Sequence, residues 1–87
     1  MNALKLKGLR IEKGFTQADM AEKIEKSIDS YAKKERGEVE WTPNEMIIVA
    51  IALGMTYELF NYIFFDNRLP FSNETIGLTT ENSQVEM

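Results

Sequence analysis

The stretch TQADMAEKIEKSIDSYAKKERG, Thr16 to Gly37, holds two short helical patterns with a break of only three or four residues between them. Thr16 can accept from the backbone N–H three residues on while Asp19 reaches back, the capping-box arrangement that opens a helix. In the first pattern, about residues 17–24, Met20, Ala21 and Ile24 form one narrow apolar stripe. Ser27 offers a second cap, and a second helix can run from Ile28 to Arg36 with two chemically different faces. That second helix is the candidate reading surface, and the rest of the chain is read as its support.

Upstream, ALKLKGLRIEK over residues 3–13 spaces Leu6, Leu9 and Lys13 as a helix does, and Gly14 stands where a C-terminal stop belongs. Gly8 weakens this helix by about 1 kcal/mol relative to alanine, so packing of Leu6 and Leu9 has to hold it. Phe15, in the link, is expected to plug the core. Downstream, GEVEW after Arg36 has no helical period and reads as a loop. Thr42-Pro43-Asn44-Glu45 then opens a helix with a cap, proline at the first helical position and glutamate at the capping-box position. From Met46 to Leu53 the apolar residues cover the whole circumference until Gly54, which leaves Ile48 and Ile51 in need of a cover.

Thr56 caps a last pattern, TYELFNYIFFD, rich in aromatics: Tyr57, Phe60, Tyr62, Phe64 and Phe65. Two readings stand for this cluster, a self-association surface, which carries the greater weight, and an internal cover over Ile48 and Ile51. The domain is expected over residues 1–66, with 67–87 a partly disordered C-terminal extension of which Leu69 to Phe71 can dock on the body.

The 87 residues suit one small domain with a modest core. Neither cysteine nor histidine occurs, so disulfides, thiolate or imidazole metal sites, thiol nucleophiles and histidine acid–base chemistry are excluded together. No apolar run approaches the ~20 residues of a membrane span, and MNALKLKGLR lacks the apolar centre of a secretory signal, so the cytoplasm is the expected location. The net charge of −4 divides unevenly. Residues 1–37 carry nine basic groups against six acidic ones, a balance of +3, and residues 38–87 carry Arg68 against eight carboxylates, a balance of −7. That asymmetry suits a basic contact surface backed by an acidic remainder.

Taken together, Leu9-Arg10 before Gly14, Phe15-Thr16-Gln17, Met20-Ala21-Glu22-Lys23-Ile24, Tyr31, Glu35-Arg36-Gly37 and Ala50-x-Ala52-Leu53-Gly54 fall without a gap at the spacing of a known family. The stretch from Leu6 to Leu53 resembles the Cro and phage-repressor type of helix-turn-helix domain, the xenobiotic response element family. The resemblance implies an all-α, lambda-repressor-like fold of five short helices whose members mostly bind operator DNA as dimers. It implies that Gln17 contacts backbone phosphate and braces the reading helix, and that Arg10 and Glu35 form a largely buried structural salt bridge. The base-reading positions correspond to Ile28, Asp29 and Lys33, with Ser27 and Ser30 nearby and Lys26 and Arg36 completing the DNA-binding set. By their chemistry Ile28 can pack on a thymine methyl, Asp29 can accept from cytosine N4, and Lys33 can donate to guanine or phosphate. Asp29 can equally serve as a plain helix-start carboxylate.

Three features depart from the family pattern. Glu25 and Lys26 occupy the tight turn where glycine and an apolar residue are usual, so either the turn is reshaped or Glu25 adopts a left-handed conformation. Glu38 and Glu40 stand in a loop that is commonly basic. Ile48 and Ile51 replace polar residues on the outside of the fourth helix, a surface for a dimer partner or cover together with Phe60, Phe64 and Phe65.

The sequence thus reads as a small sequence-specific DNA-binding transcriptional regulator of Cro size, of the kind phages and mobile elements encode. It is expected to act as a homodimer on double-stranded DNA, with no catalytic residues, cofactor, metal, membrane or small-molecule ligand. The alternative is a protein-binding module of the same fold, such as an antirepressor or adaptor. A continuous basic strip of Lys26, Lys33, Lys34 and Arg36 favours DNA, and its interruption by Glu25, Asp29, Glu38 and Glu40 favours protein.

Overall fold

Five side chains, Asn2, Thr16, Ser27, Thr42 and Thr56, each accept a hydrogen bond from the backbone N–H three residues on, and each starts a helix. A computed structural model describes residues 1–70, and over that span the chain is all-α. The helices are α1 (Ala3–Glu12), α2 (Gln17–Lys23), α3 (Ile28–Glu35), α4 (Pro43–Ala52) and α5 (Tyr57–Phe65). Both expected capping boxes form, Thr16 with Asp19 and Thr42 with Glu45. Lys13, Ile24 and Arg36 stand as C-caps one residue beyond their helices, a difference within ordinary end fraying.

The first four helices end alike. After each C-cap a residue turns left-handed, its N–H bonds the carbonyl three residues back, and the next N–H bonds the carbonyl five back, which is the Schellman closure. In α1, α3 and α4 the left-handed residue is Gly14, Gly37 or Gly54; in α2 it is Glu25, with φ at 59°. The turn between α2 and α3 therefore keeps its shape, and Glu25 carries the strain that a Cβ meets there.

These caps hold helices too short to stand alone, so burial has to supply the rest. Leu6, Met20, Tyr31, Val49, Leu53 and Ile63 are fully buried and join all five helices in one core. Phe15 packs half-buried against it. Apart from Tyr62, which is exposed, the aromatic cluster lies inside the protomer. Phe60 and Phe64, at i and i+4 on α5, are 6% and 8% exposed, and Phe65 is half-buried against the core. Tyr31, Trp41, Phe64 and Phe60 form a file of edge-on and tilted rings with centroids 5.8, 5.5 and 5.3 Å apart, from the middle of α3 to α5. The expectation of Phe60, Phe64 and Phe65 as a partner surface is corrected on this point. Trp41, which has no helical period to announce it, draws the rings inward.

Ile48 likewise packs half-buried against the core and needs no outside cover, whereas Ile51 is 71% exposed, with exposed Ile47 one turn before it. Past α5, the fully buried Asn61 closes two hydrogen bonds with Leu69: Nδ2 to the carbonyl at 3.1 Å, and the Leu69 N–H to Oδ1 at 3.0 Å. Leu69 is thereby docked on the core, so the folded body runs beyond residue 66. Phe71 and the extension after it lie outside the described residues.

Replacing Glu25 with glycine removes the left-handed strain, offset in part by extra freedom of the unfolded chain. Glu25→Gly is expected to stabilise the protein by about 0.5–1 kcal/mol in urea unfolding. A loss of stability would show that the Glu25 side chain holds the turn in some other way.

Candidate nucleic-acid interface

The reading helix is aimed by a carboxylate beneath it. Glu35, at the C-terminal end of α3, turns inward and accepts from three sides. Arg10 of α1 donates Nε at 2.6 Å and Nη2 at 3.2 Å, Gln17 of α2 donates Nε2 at 3.1 Å, and Tyr31 donates its hydroxyl at 2.9 Å. Arg10 also donates Nη1 to the Phe15 carbonyl at 2.8 Å, which ties in the link between α1 and α2. Burial pushes the Glu35 carboxyl up, but the hydrogen bonds from Arg10, Gln17 and Tyr31 outweigh it and hold the group below the usual carboxylate range. Its hydrogen bond raises Arg10, and burial followed by the Glu35 charge raises Tyr31. Three helices are thus keyed to one anion. The side-chain amide N–H of Gln17 is directed at Glu35, so it is placed to brace α3.

A second buried ion pair sits on the other side of α3. Lys34 and Glu45 are 6% and 5% exposed, their Nζ and Oε1 are 3.1 Å apart, and Lys34 also donates to the Glu40 carbonyl at 3.0 Å. Lys34 is therefore removed from the expected basic strip. It follows Tyr31 by three residues and so shares the inner face. Glu45 has two roles, closing the capping box of α4 and neutralising Lys34. Burial raises its carboxyl, and hydrogen bonds from the Thr42 backbone and Lys34 more than reverse that.

The outer face of α3 holds the remaining candidates. Ile28 is 55% exposed at its first residue. Asp29 and Lys33 lie one turn apart and pair at 3.2 Å, both well exposed. The Ser27 hydroxyl accepts from the Ser30 N–H as the N-cap, and Ser30 is half-buried. Lys26 is exposed in the turn before α3. Arg36, the C-cap, is held by Glu38 with Nε at 2.7 Å and Nη2 at 3.2 Å. Ile28, Asp29 and Lys33 are thus brought to one face. The strip behind them is interrupted, because Lys33 and Arg36 each carry a carboxylate of the same chain.

A tight turn between two short helices, with the second helix presenting exposed side chains from its first turn and anchored from below, is the geometry of a groove-reading element. Residues 6–60 match the helix-turn-helix family. The chain belongs to that family, in its Cro/C1 type. Searches of the curated proteins and of the solved structures returned no match. The helix-turn-helix domain makes the protein a DNA-binding regulator, with double-stranded DNA as its partner. Among the described residues no helix is long and apolar enough to cross a membrane, and no group of three or more acidic, histidine or cysteine residues is placed to hold a metal ion.

The two buried carboxylates set the acid response. Their native pKa values lie below the ordinary glutamate value of 4.5, so their stabilisation is complete above that pH and is lost as pH falls through the lower native values. Unfolding free energy measured in urea is expected to be level from neutral pH down to about pH 5 and to fall below it. Glu45→Gln leaves Lys34 buried without its countercharge; a loss of about 3 kcal/mol at neutral pH and a shallower acid slope are expected. Wild-type stability in that variant would remove Glu45 from the scaffold.

Proposed function

We propose that this helix-turn-helix protein recognises a specific operator as a homodimer, reads it with the N-terminal half of α3, and represses transcription from it. The observation that carries the reading is the joint exposure of Ile28, Asp29 and Lys33 on one face of a helix anchored through Glu35. A helix so placed can enter the major groove by its first turns. There, Ile28 meets thymine methyls, Asp29 accepts from cytosine N4, and Lys33 donates to guanine once its pair with Asp29 opens. The role is one of binding without catalysis, exercised in the cytoplasm.

Ile47 and Ile51 support the dimer. They are exposed on successive turns of α4, and a two-fold partner would cover them with the same residues of its own. Two copies related in this way would present two α3 helices to successive turns of one groove.

A second reading has its own observation. The pairs Asp29–Lys33 and Arg36–Glu38 cancel much of the positive face, which favours a partner less charged than DNA. On that reading the same face docks a protein, as in an antirepressor or adaptor.

Titration with random-sequence duplex separates the two, and binding is expected at about 50 mM salt, weakening steeply by about 200 mM. No binding at the lower salt would reject the DNA role and leave the protein-binding one. On duplexes selected from a random pool, Ile28→Ala and Lys33→Ala are each expected to cost about 1–3 kcal/mol of discrimination. Equal loss on every duplex would make them backbone contacts. Sedimentation at tens of micromolar, roughly the range in which a modest interface is populated, is expected to give a dimer for the wild type and a monomer for Ile51→Glu. A wild-type monomer there would end the dimer reading.

A further inference from the structure

The Schellman turn that ends α3 also places a carboxylate. With Gly37 at φ 85°, the Gly37 N–H bonds the Lys34 carbonyl at 3.0 Å and the Glu38 N–H bonds the Lys33 carbonyl at 2.9 Å. These bonds fix the backbone of Glu38 over the last turn of the reading helix. Its side chain meets Arg36 at two points, Nε to Oε2 at 2.7 Å and Nη2 to Oε1 at 3.2 Å. That is the fork geometry with which a guanidinium also takes a phosphate. The hydrogen bond from Arg36 holds the Glu38 carboxyl below the usual carboxylate range.

No other cation on α3 or its cap is free to take that place. Lys34 is buried against Glu45, and Lys33 is engaged with Asp29 through a single contact at 3.2 Å. Arg36 is therefore the strongest phosphate ligand at this end of the helix, and its fork is already filled. Both partners are about half exposed, so the pair can open, and a duplex backbone can compete for the guanidinium.

We propose that Glu38 is a built-in competitor of DNA phosphate for Arg36 and thereby sets the sequence-independent affinity of this protein for DNA. The inference rests on the DNA-binding reading of α3. Sequence-independent binding comes from phosphate contacts, each releasing about 0.9 of a counterion from B-DNA. A guanidinium held by its own chain gives up an internal pair for each phosphate it gains, and the displaced carboxylate then faces the DNA backbone. Both effects keep the protein from lodging on arbitrary duplex and leave more of it free for sites that α3 reads by its bases.

Glu38→Gln keeps the turn and the shape of the side chain while removing the charge that competes. Binding of wild type, Glu38→Gln and the double variant Arg36→Ala/Glu38→Gln to a random-sequence duplex, followed from about 50 to about 200 mM salt, tests the role. Glu38→Gln is expected to bind about tenfold more tightly at the low-salt end, and the plot of log affinity against log salt is expected to steepen by about 0.9. Removing Arg36 as well is expected to abolish both gains. An affinity and slope equal to wild type in Glu38→Gln would overturn the competitor role. A gain that survives the loss of Arg36 would also overturn it, since only the net charge would then matter. Failure of wild type and Glu38→Gln alike to bind at the low-salt end would reject the DNA reading itself, and this inference with it.

Discussion

A single buried carboxylate, Glu35, sets the position of the reading helix. An anion without solvent must have its lone pairs met, and here the donors come from α1, α2 and α3 itself: Arg10, Gln17 and Tyr31. The angle between α2 and α3 is thereby tied to the end of α1. A helix of eight residues has little stability of its own, so its direction is decided by what it is bonded to beneath. The Lys34–Glu45 pair does the same on the other flank and extends the tie to the start of α4. Breaking either pair would strand a charge in a place that water does not reach, which is how polar groups in so small a core enforce one arrangement.

Around these ion pairs, the helix ends give the fold its repeated local grammar. Every helix opens on a side-chain oxygen, and the first four close on a left-handed residue. The closures also have functional consequences, because they determine what stands beside α3. The closure of α2 puts Glu25 and Lys26 in the turn before the reading helix, and that of α3 puts Glu38 beside Arg36. The electrostatic character of the face thus follows from turn chemistry as much as from the count of charges. A front half with a balance of +3 presents a surface on which two of its cations are already answered by carboxylates.

Much of the fold was legible in the residues because the signals were local. Capping boxes at Thr16 and Thr42, glycines at helix ends, and apolar spacing in α2 all depend on neighbours three to five residues away. The candidate site was legible in part. Asp29 and Lys33 fall one helical turn apart and share a face by that spacing, whereas Ile28, next to Asp29, joins them through the family resemblance. From its neighbours alone Lys34 reads as a surface cation, because its partner, Glu45, lies eleven positions on across a loop without periodicity. The aromatic cluster reads as an outer surface for a similar reason. Trp41, in that same loop, supplies the ring that joins Tyr31 to Phe64, and nothing local to Trp41 points to either.

The sequence by itself determined five helices, four of them with their caps at Thr16, Ser27, Thr42 and Thr56, a tight turn between the second and third, and the shared face of Asp29 and Lys33. Each of these follows from contacts within a few residues, where chain geometry leaves few choices. Tertiary structure alone decided which charges are buried and which apolar residues stay outside. Lys34 lies inside while Lys33 next to it is exposed, and Ile48 packs on the core while Ile51 stands out from it. Nearby residues of one type part company because burial is set by distant elements, whose approach depends on every other contact in the core.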